Sequence, residues 1–441
     1  MRSSRRRPVA CGVDIGSTNV KVVVLDRHGV VLGRASRPTP RAPGDLSIDG
    51  LVLVDLVERM VLQACGDAYE VHAICTVGVG EDGLLVDADL RPLIPVLAWF
   101  DPRRQEVLRE LRPHLDDQVY DVGGDAARTI VGWAWARRQP GSAAAHRWVA
   151  VADLPAVRWT ERPFLSDTLA SRTGAWRASD RAWASARVSF SLGSEELLPA
   201  VLPAGEVAGP LRSPRLRSAG VVTEDAIVVV GGHDHPVGGW GVDQLGPGAV
   251  LDSMGTAEVV VAQSPLPPSV RREHVDIAPG IRSPGTTLLR VIELARNVAW
   301  AAQDPAVGRW IQALLDGTAR PAPVLEAGYF LAGRRGGAPP AYALDAPREP
   351  RARASAVLGT LACGGRDAVA AVSGDAVARP AVRLAGGWAR SPGWVAIKES
   401  VLGYRAEPIA EPEVTAVGAA LLAATAFGWT PEPATALGEG G

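Results

Sequence analysis

Lysine is nearly missing from this 441-residue sequence. Lys21 and Lys398 are the only lysines among 46 basic residues, and 48 acidic residues leave a formal net charge of −2. Because the chain uses arginine almost everywhere else, its arginine content is weak evidence for any partner. The sequence also lacks a long block of like charge, the usual mark of a segment that binds nucleic acid. We therefore expect no nucleic-acid partner.

Cysteine and long apolar runs are scarce as well. Cys11, Cys65, Cys75 and Cys363 show no CxxC or other metal-binding spacing, and such cysteines are typical of free thiols in a reducing compartment. The longest apolar stretch, residues 417–427, is too short to cross a bilayer. These absences predict a cytoplasmic protein without a membrane partner.

The length of the chain predicts two domains rather than one core. The first half opens with β-branched strands at 9–15, 20–25 and 30–34. Apolar residues at spacings of three and four then predict a helix over 49–64, and a further strand follows at 71–77. Three strands, a helix and a strand form the opening order of a ribonuclease H-like domain.

The strongest chemical signal lies in residues 226–261. A β-branched run from Ile227 to Val230 leads into Gly231-Gly232, which predicts a turn, and Asp234 follows directly. A carboxylate at the end of a strand can take the proton from a hydroxyl that attacks a phosphate. Asp is also common where strands end, so a capping role fits Asp234 equally well on this stretch alone.

A hairpin follows Asp234. After glycines at 238, 239 and 241, a second strand ends at Asp252-Ser253-Met254 and a third runs from Glu258 to Val261. The turn between them, Gly255-Thr256, exposes backbone N–H groups and a hydroxyl, and these groups suit phosphate oxygens.

The first hairpin of the chain, VDIGSTNVKVVVLD, has the same order of strand, Asp and Gly-rich turn. Asp14 lies at the strand end, Gly16 allows close backbone approach, Ser17 and Thr18 offer hydroxyls, and Lys21 follows. These residues fit either a plain tight hairpin or a phosphate loop whose Asp14 binds Mg²⁺. The later stretch LDSMGTAEVVV repeats the same order of strand, Asp, Gly-containing turn and valine run. This repeat favours the phosphate loop over the plain hairpin, with a nucleotide held between two similar halves.

Four blocks in order, DIGSTNVKVVVLD, PVLAWFDPRR, GGHDHPVGG with LDSMGTAE, and GGWARSPGWVAIKESVLG with EVTAVGAALLA, resemble the signature blocks of the FGGY family of carbohydrate kinases. The resemblance implies an α/β fold of two ribonuclease H-like, actin-like ATPase domains with the active site in the cleft between them. We expect an N-terminal domain over 8–225 and a C-terminal domain over 226–432.

The resemblance also implies the cofactors and the roles of site residues. It implies ATP and Mg²⁺, with Asp234 as catalytic base and Asp14 as the metal ligand. The cofactor-binding residues implied are Gly16, Ser17, Thr18, Lys21, Gly255, Thr256, Gly386, Gly387 and Ser391. The substrate-binding residues implied are Glu81, Asp82, Trp99, Asp101 and His235.

The substrate residues have competing interpretations. Gly78, Gly80 and Gly83 form a literal GxGxxG, but the following residues show no helical period, which argues against a dinucleotide-binding turn. Glu81 and Asp82 fit a solvated acidic turn if the resemblance is set aside, and Trp99 with Asp101 and Arg103 also fits a structural pair beside a tryptophan. Two adjacent carboxylates would further suit an amine-bearing acceptor such as an aminocyclitol.

The expected partner is a small carbohydrate or polyol, and the expected reaction is phosphorylation of a hydroxyl of a sugar, ketose, polyol or cyclitol. The middle of the second domain is shorter than the family pattern. A catalytically degenerate regulator that binds sugar or nucleotide is therefore an alternative. A chaperone or filament protein of the same superfamily would not need the GGHDHP and WFDPR blocks. The sequence leaves a homodimer open.

Overall fold

The computed structural model describes residues 6–115, 120–266, 272, 274–282, 284–334, 337–373 and 379–439. The strands are β1 Arg7–Ile15, β2 Asn19–Leu25, β3 Val31–Pro38, β4 Tyr69–Gly78, β5 Gly83–Val86, β6 Arg147–Ala150, β7 Phe164–Ser166, β8 Trp176–Arg177, β9 Ala182–Trp183, β10 Ala200–Leu202, β11 Val207–Pro210, β12 Val222–His233, β13 Val250–Met254, β14 Ala257–Ser264, β15 Asp276–Pro279, β16 Thr286–Glu293, β17 Phe330–Leu331, β18 Ala341–Tyr342, β19 Val382–Ala385 and β20 Ala406–Pro408.

The helices are α1 Gly50–Cys65, α2 Arg103–Leu111, α3 Thr129–Ala136, α4 Leu154–Thr160, α5 Asp167–Ala170, α6 Ser185–Ser191, α7 Pro214–Ser218, α8 Asp234–Asp243, α9 Ala295–Ala301, α10 Pro305–Leu315, α11 Pro350–Ser373, α12 Pro392–Leu402, α13 Val414–Ala426 and α14 Pro433–Ala436. Among the described residues, none of these helices combines the length and apolar character that a bilayer crossing needs.

The first large sheet has the strand order β11-β12-β4-β1-β2-β3. Its central strand β1 pairs antiparallel with β2 and parallel with β4. From Val9 to Ile15, β1 is buried continuously, as expected for a strand covered on both faces. Helix α1, capped by the Asp49 side chain through the N–H groups of Leu51 and Val52, packs against β2 and β3.

The second large sheet repeats this arrangement in the order β15-β16-β14-β13-β19-β20. Here β13 takes the place of β1, since it pairs antiparallel with β14 and parallel with β19. The two sheets therefore share one topology, with β15 and β11 as additional edge strands. This repeat confirms the prediction of two ribonuclease H-like halves.

The chain changes sheets later than expected. The predicted boundary at residue 226 falls inside β12, which pairs with β4 in the first sheet. The second sheet begins only at Val250, after α8 has crossed between them. The physical reason is that the β-branched run 227–230 completes the first sheet rather than opening the second.

Helices at the interface bind the two halves together. Helix α13, close to the C-terminus, packs against β1, β4 and α8. Buried residues of β1, β4, α8 and α13 consequently belong to one apolar cluster that spans both halves. The end of the chain therefore stabilises the floor of the cleft, next to Asp234 at the start of α8.

Candidate active site

Asp234 begins helix α8 at the end of strand β12. The predicted turn at Gly231-Gly232 is wrong, because the strand continues through both glycines to His233. The backbone N–H of His233 donates to Oγ1 of Thr168 at 3.0 Å, which holds the end of the strand. The backbone N–H of His235 donates to Oδ1 of Asp234 at 2.7 Å.

The glycines after Asp234 lie in a helix that the sequence pattern did not reveal. Gly238, Gly239 and Gly241 are all buried within α8. Their missing side chains let α8 approach its neighbours closely, as at Gly241, where a Cβ would lie 3.1 Å from the Cα of Gly418 on α13. These glycines therefore serve packing rather than phosphate binding.

Asp234 lies in an environment that disfavours its charged form. Burial, together with the charge of Glu81, raises the pKa of Asp234 to about 7, although the His235 N–H, Arg172 and Lys21 oppose the rise. Nε2 of His233 lies 3.3 Å from Oδ1 of Asp234, and Nε2 of His235 lies 3.8 Å from it.

The two flanking histidines are neutral at physiological pH. Burial and the nearby Arg172 lower the pKa of His233 well below its ordinary value and that of His235 to about 4. Asp234 is therefore a carboxyl that titrates close to neutral pH between two uncharged imidazoles. A group with such a pKa is well matched to general-base catalysis.

A second charged group lies beside Asp234 at the first hairpin. Asp14 on β1 is the cross-strand partner of Lys21 on β2. Nζ of Lys21 lies 3.9 Å from Oδ2 of Asp14 and 2.8 Å from Oε2 of Glu413, which immediately precedes α13. Burial raises the pKa of Asp14 to about 7, opposed by Lys21 and assisted by Asp234 and Glu413.

The turn after Asp14 is held by several hydrogen bonds. The N–H of Gly16 donates to the carbonyl of Asn19 at 3.1 Å, and the N–H of Thr39 donates to the carbonyl of Thr18 at 2.9 Å. Nε1 of Trp99 donates to Oγ of Ser17 at 2.8 Å. This bond connects the predicted first phosphate loop to a predicted substrate residue.

A cavity of about 1640 Å³ opens in front of Asp234. The cavity is lined by Asp234, by Ser17 and by four of the five predicted substrate residues. These four are Glu81, Trp99, Asp101 and His235. Asp82 is not among its lining residues. Asp82 is buried, with Oδ1 lying 3.4 Å from NH2 of Arg104. Burial, opposed by Arg104, raises the pKa of Asp82 to about 7.

Glu81 belongs to an ion cluster that joins the two halves. Oε1 of Glu81 accepts from Nε of Arg172 at 2.8 Å and lies 3.6 Å from NH1 of Arg128. Both arginines also contact Oδ2 of Asp276 on β15 of the second sheet, at 2.6 and 3.1 Å. All four side chains are buried and line the cavity.

The pairing of Glu81 and Asp82 with arginines removes the reason to expect an amine-bearing acceptor, because neither carboxylate is uncompensated. The sequence interpretation missed Arg128, Arg172, Asp276 and Glu413. Arg172 lies just after the short helix α5, in a stretch of sequence that carried no chemical signal of its own. The other three are joined to the site only by contacts between distant parts of the chain.

The predicted nucleotide residues cluster at the end of the second sheet. Gly255 and Thr256 form the turn between β13 and β14, and Gly386 follows β19. Gly386 has a φ of +88°, and a Cβ there would overlap the carbonyl oxygen of Met254, the residue before the turn. The two glycine turns are therefore in direct contact.

Ser391 acts as a helix cap. Its Oγ accepts from the N–H of Trp394 at 3.2 Å in the first turn of α12 and donates to the carbonyl of Leu315 at 2.6 Å. Its hydroxyl is thus already engaged within the protein. Together with Gly386 and Gly387 it fixes where α12 begins.

Comparisons with known proteins agree with this architecture. A model of the FGGY family of carbohydrate kinases, N-terminal domain, matches residues 9–241, more than half of the chain. L-fuculokinase of Escherichia coli (strain K12) is 25% identical over 327 residues, which cover 68% of each protein. Xylulose kinase of Streptomyces coelicolor is 28% identical over 288 residues, 60% of this chain and 56% of that protein.

A solved structure shows the same fold over nearly the whole length. The gluconate kinase of Lactobacillus acidophilus superposes with a TM-score of 0.83, covering 98% of this chain and 92% of that one at 16% identity. The repeated sheet topology, the family model and these relatives lead to one conclusion. The chain belongs to the FGGY family of carbohydrate kinases, and it is a phosphotransferase with an alcohol group as acceptor.

Proposed function

We propose that this kinase transfers the γ-phosphate of ATP to a hydroxyl of a small sugar, ketose, polyol or cyclitol bound in front of Asp234. The observation that carries the proposal is the position of Asp234, which lines the cavity beside Glu81 and Trp99 and has a pKa of about 7. A base of this pKa can accept the hydroxyl proton at physiological pH.

Each half contributes a different set of groups to the reaction. Asp234 takes the proton of the acceptor hydroxyl as the hydroxyl oxygen attacks the phosphorus in line. Glu81 and Asp101 accept hydrogen bonds from other hydroxyls of the substrate, and Trp99 and His235 border it. Backbone N–H groups of Ser17, Thr18 and Thr256 bind phosphate oxygens. Gly16 and Gly255, whose own N–H groups donate to the carbonyls of Asn19 and Ala257 within the hairpins, let the phosphates approach the backbone closely. Gly386 and Gly387 let the adenosine lie against backbone.

Asp14 is suited to hold Mg²⁺. Its Oδ1 is buried and finds no hydrogen-bond partner among the described residues. Among all the residues that the structure describes, no group of three or more His, Cys, Asp and Glu side chains could hold a metal ion by itself. Mg²⁺, however, commonly uses only one or two carboxylates together with waters and substrate phosphates. The ion would supply charge neutralisation at the phosphates. Lys21, paired with Glu413, lies beside Asp14 and favours its charged form.

A ketose is the first acceptor to examine, since two of the relatives are named fuculokinase and xylulose kinase. The alternative of a degenerate regulator is weakened by the intact pair of Asp14 and Asp234. Both carboxyls are present, Asp14 buried and Asp234 half-buried at the cavity, and they are close enough for Asp234 to raise the pKa of Asp14.

The proposal is tested by ADP release with ketoses, aldoses, polyols and cyclitols, comparing wild type with Asp234→Asn. General-base assistance is typically worth ~10²- to 10⁴-fold, so we expect kcat to fall by that order while ATP still binds. Asp243→Asn makes the same change at the far end of α8, where Oδ1 accepts from the Gly248 N–H, and serves as the matched control.

Two outcomes would contradict the proposal. An Asp234→Asn protein with the kcat of wild type would show that another group takes the proton. A wild-type protein that binds ATP but releases no ADP with any acceptor would favour the regulator.

A further inference from the structure

Lys398 is the more unusual of the two lysines. Its side chain is 1% exposed, in a chain whose other basic residues are, apart from Lys21, all arginines. It projects from α12 towards the second sheet, and Nζ lies 2.6 Å from Oε1 of Glu258 and contacts Oδ2 of Asp252. Both carboxylates are fully buried, so a single ammonium group serves two acids inside the protein.

The two acids lie on either side of the second phosphate turn. Asp252 belongs to β13, three residues before Gly255, and Glu258 belongs to β14, two residues after Thr256. Lys398 thus connects both strands at the base of the turn. Any shift of the ammonium group relative to the sheet would move both arms of the hairpin.

The space around Lys398 requires a compact cation. Gly365 on α11 faces the cluster, and a Cβ at this position would overlap Oε1 of Glu258 and lie 2.7 Å from Nζ of Lys398. An ammonium group is a compact point charge, whereas a guanidinium is a planar fork. This geometry gives a reason for lysine at a position where the rest of the chain would use arginine.

Stability alone does not account for the cluster. Removing ions from water is costly, and apolar replacements of buried ion pairs are often neutral or stabilising. Two carboxyls around one ammonium are also poorly balanced. Burial, assisted by Asp252 and opposed by Lys398, raises the pKa of Glu258 to about 7. Such a cluster is better explained by the geometry it imposes.

The same helix that carries Lys398 follows the predicted adenosine turn. Helix α12 begins after Gly386-Gly387, and Nε1 of Trp394 in its first turn donates to Sδ of Met254 at 3.0 Å. Gly386 itself packs against the carbonyl of Met254. Lys398, one helical turn beyond Trp394, is therefore the second point at which α12 is attached to the phosphate hairpin.

We propose that Lys398 is a positioning residue that holds the Gly255-Thr256 turn and the Gly386-Gly387 turn in fixed relation, so that both engage one nucleotide. The inference rests on the proposed function, since it assigns these turns to ATP. It adds a residue that touches neither nucleotide nor sugar. It predicts that a disturbed cluster weakens nucleotide binding and leaves sugar binding unchanged, because Glu81, Trp99 and Asp101 lie in the other half.

Two variants disturb the geometry of the cluster while keeping its charges. Lys398→Arg retains the cation but changes its shape, and Gly365→Ala places a methyl group against Glu258 and Lys398. Gly364→Ala is the matched control on the same helix, because its Cβ would meet only Cγ2 of Ile292, at 3.6 Å. Binding of ADP with Mg²⁺ to each full-length protein is measured by titration calorimetry, and folding is checked by thermal unfolding.

We expect Lys398→Arg and Gly365→Ala to weaken ADP binding about 10-fold, because small misplacements of binding groups have large effects. Gly364→Ala should bind as wild type does. In the kinase assay the KM for ATP should rise while the KM for the acceptor stays constant, a split that general destabilisation would not produce. If one variant fails to fold, the other decides.

The inference is overturned if a folded Lys398→Arg or Gly365→Ala protein binds ADP as tightly as wild type, or if both KM values rise together. The proposed function fails differently, through a wild-type protein that binds ADP but phosphorylates no acceptor. In that case the calorimetric comparison still decides the role of Lys398.

Discussion

Each of the two hairpins that we assign to phosphate binding lies beside one Asp, one Glu and one Lys, but the arrangement of the three groups differs. In the first half Asp14 and Lys21 lie on the two strands and Glu413 comes from the start of α13. In the second half two acids, Asp252 and Glu258, lie on the strands and the lysine comes from α12. Both lysines of the chain are used in these two places.

The two clusters differ in their access to solvent. The Lys21 side chain is 31% exposed and lies at the cleft, whereas that of Lys398 is 1% exposed. An accessible cluster can exchange partners with a ligand, as Asp14 would with Mg²⁺. A buried cluster cannot exchange partners with a ligand, so it acts only by fixing the positions of the strands and helix that it joins. One topology thus supports both an accessible cluster, which we propose binds Mg²⁺ through Asp14, and a buried cluster.

Removing the lysine should lower the free energy of unfolding much more in the second cluster than in the first. Lys398→Met leaves two buried carboxyls without a cation, and loss of one partner of a buried ion pair typically costs ~3–5 kcal/mol. Lys21→Met should cost less than ~1 kcal/mol, because Lys21 and its nearest partner Glu413 are partly solvated. Urea unfolding at pH 8 without ligands measures both free energies. Equal losses of unfolding free energy in the two variants would show that burial does not make the loss of Lys398 more costly than the loss of Lys21.

A smaller effect is expected from the pH dependence of unfolding. The folded-state pKa of Glu258, about 7, lies above its ordinary value of 4.5. The folded protein therefore binds a proton there that the unfolded chain releases. The stability from this group is fully present below about pH 4.5 and is lost as the pH rises through 7.

Glu258→Gln removes this proton and should flatten the decline of unfolding free energy between about pH 4.5 and 7, by at most ~1.4 kcal/mol per pH unit. The exposed Glu326→Gln is the control and should keep the wild-type slope. Urea titrations at several pH values supply the measurement. An unchanged slope in Glu258→Gln would mean that the buried cluster does not take up a proton.

The hairpins and their acids were predictable from sequence, because strand, Asp and Gly-Thr turn are adjacent in the chain. The strands at 9–15, 20–25 and 71–77 and the helix near 49–64 followed from the pattern of β-branched and apolar residues in the same way. Helix α8 could not be predicted from sequence, because glycines at this spacing are typical of a loop. Only the packing of α8 against α13 explains them.

Contacts between distant residues were also beyond prediction. Glu413 and Lys21 are almost 400 positions apart, and Asp276 reaches Arg172 across the cleft between the sheets. Glu81 and Asp82 are neighbours in sequence, yet only Glu81 lines the cavity. Sequence patterns place residues at the ends of elements, whereas the choice of partner depends on how the elements pack.

The smallest expected effect is a shift in the pKa of Asp234, which only the first cluster should produce. Lys21 lowers the pKa of Asp234, whereas Lys398 and Glu258 are not among the groups that shift it. In Lys21→Met the pKa of Asp234 should rise, and the acid limb of the kcat/KM profile, expected near pH 7, should move to higher pH by less than ~1 unit. Glu258→Gln should leave the limb in place. A limb that moves in Glu258→Gln but not in Lys21→Met would reverse the roles assigned to the two clusters, because only the first lies close enough to act on the base through charge.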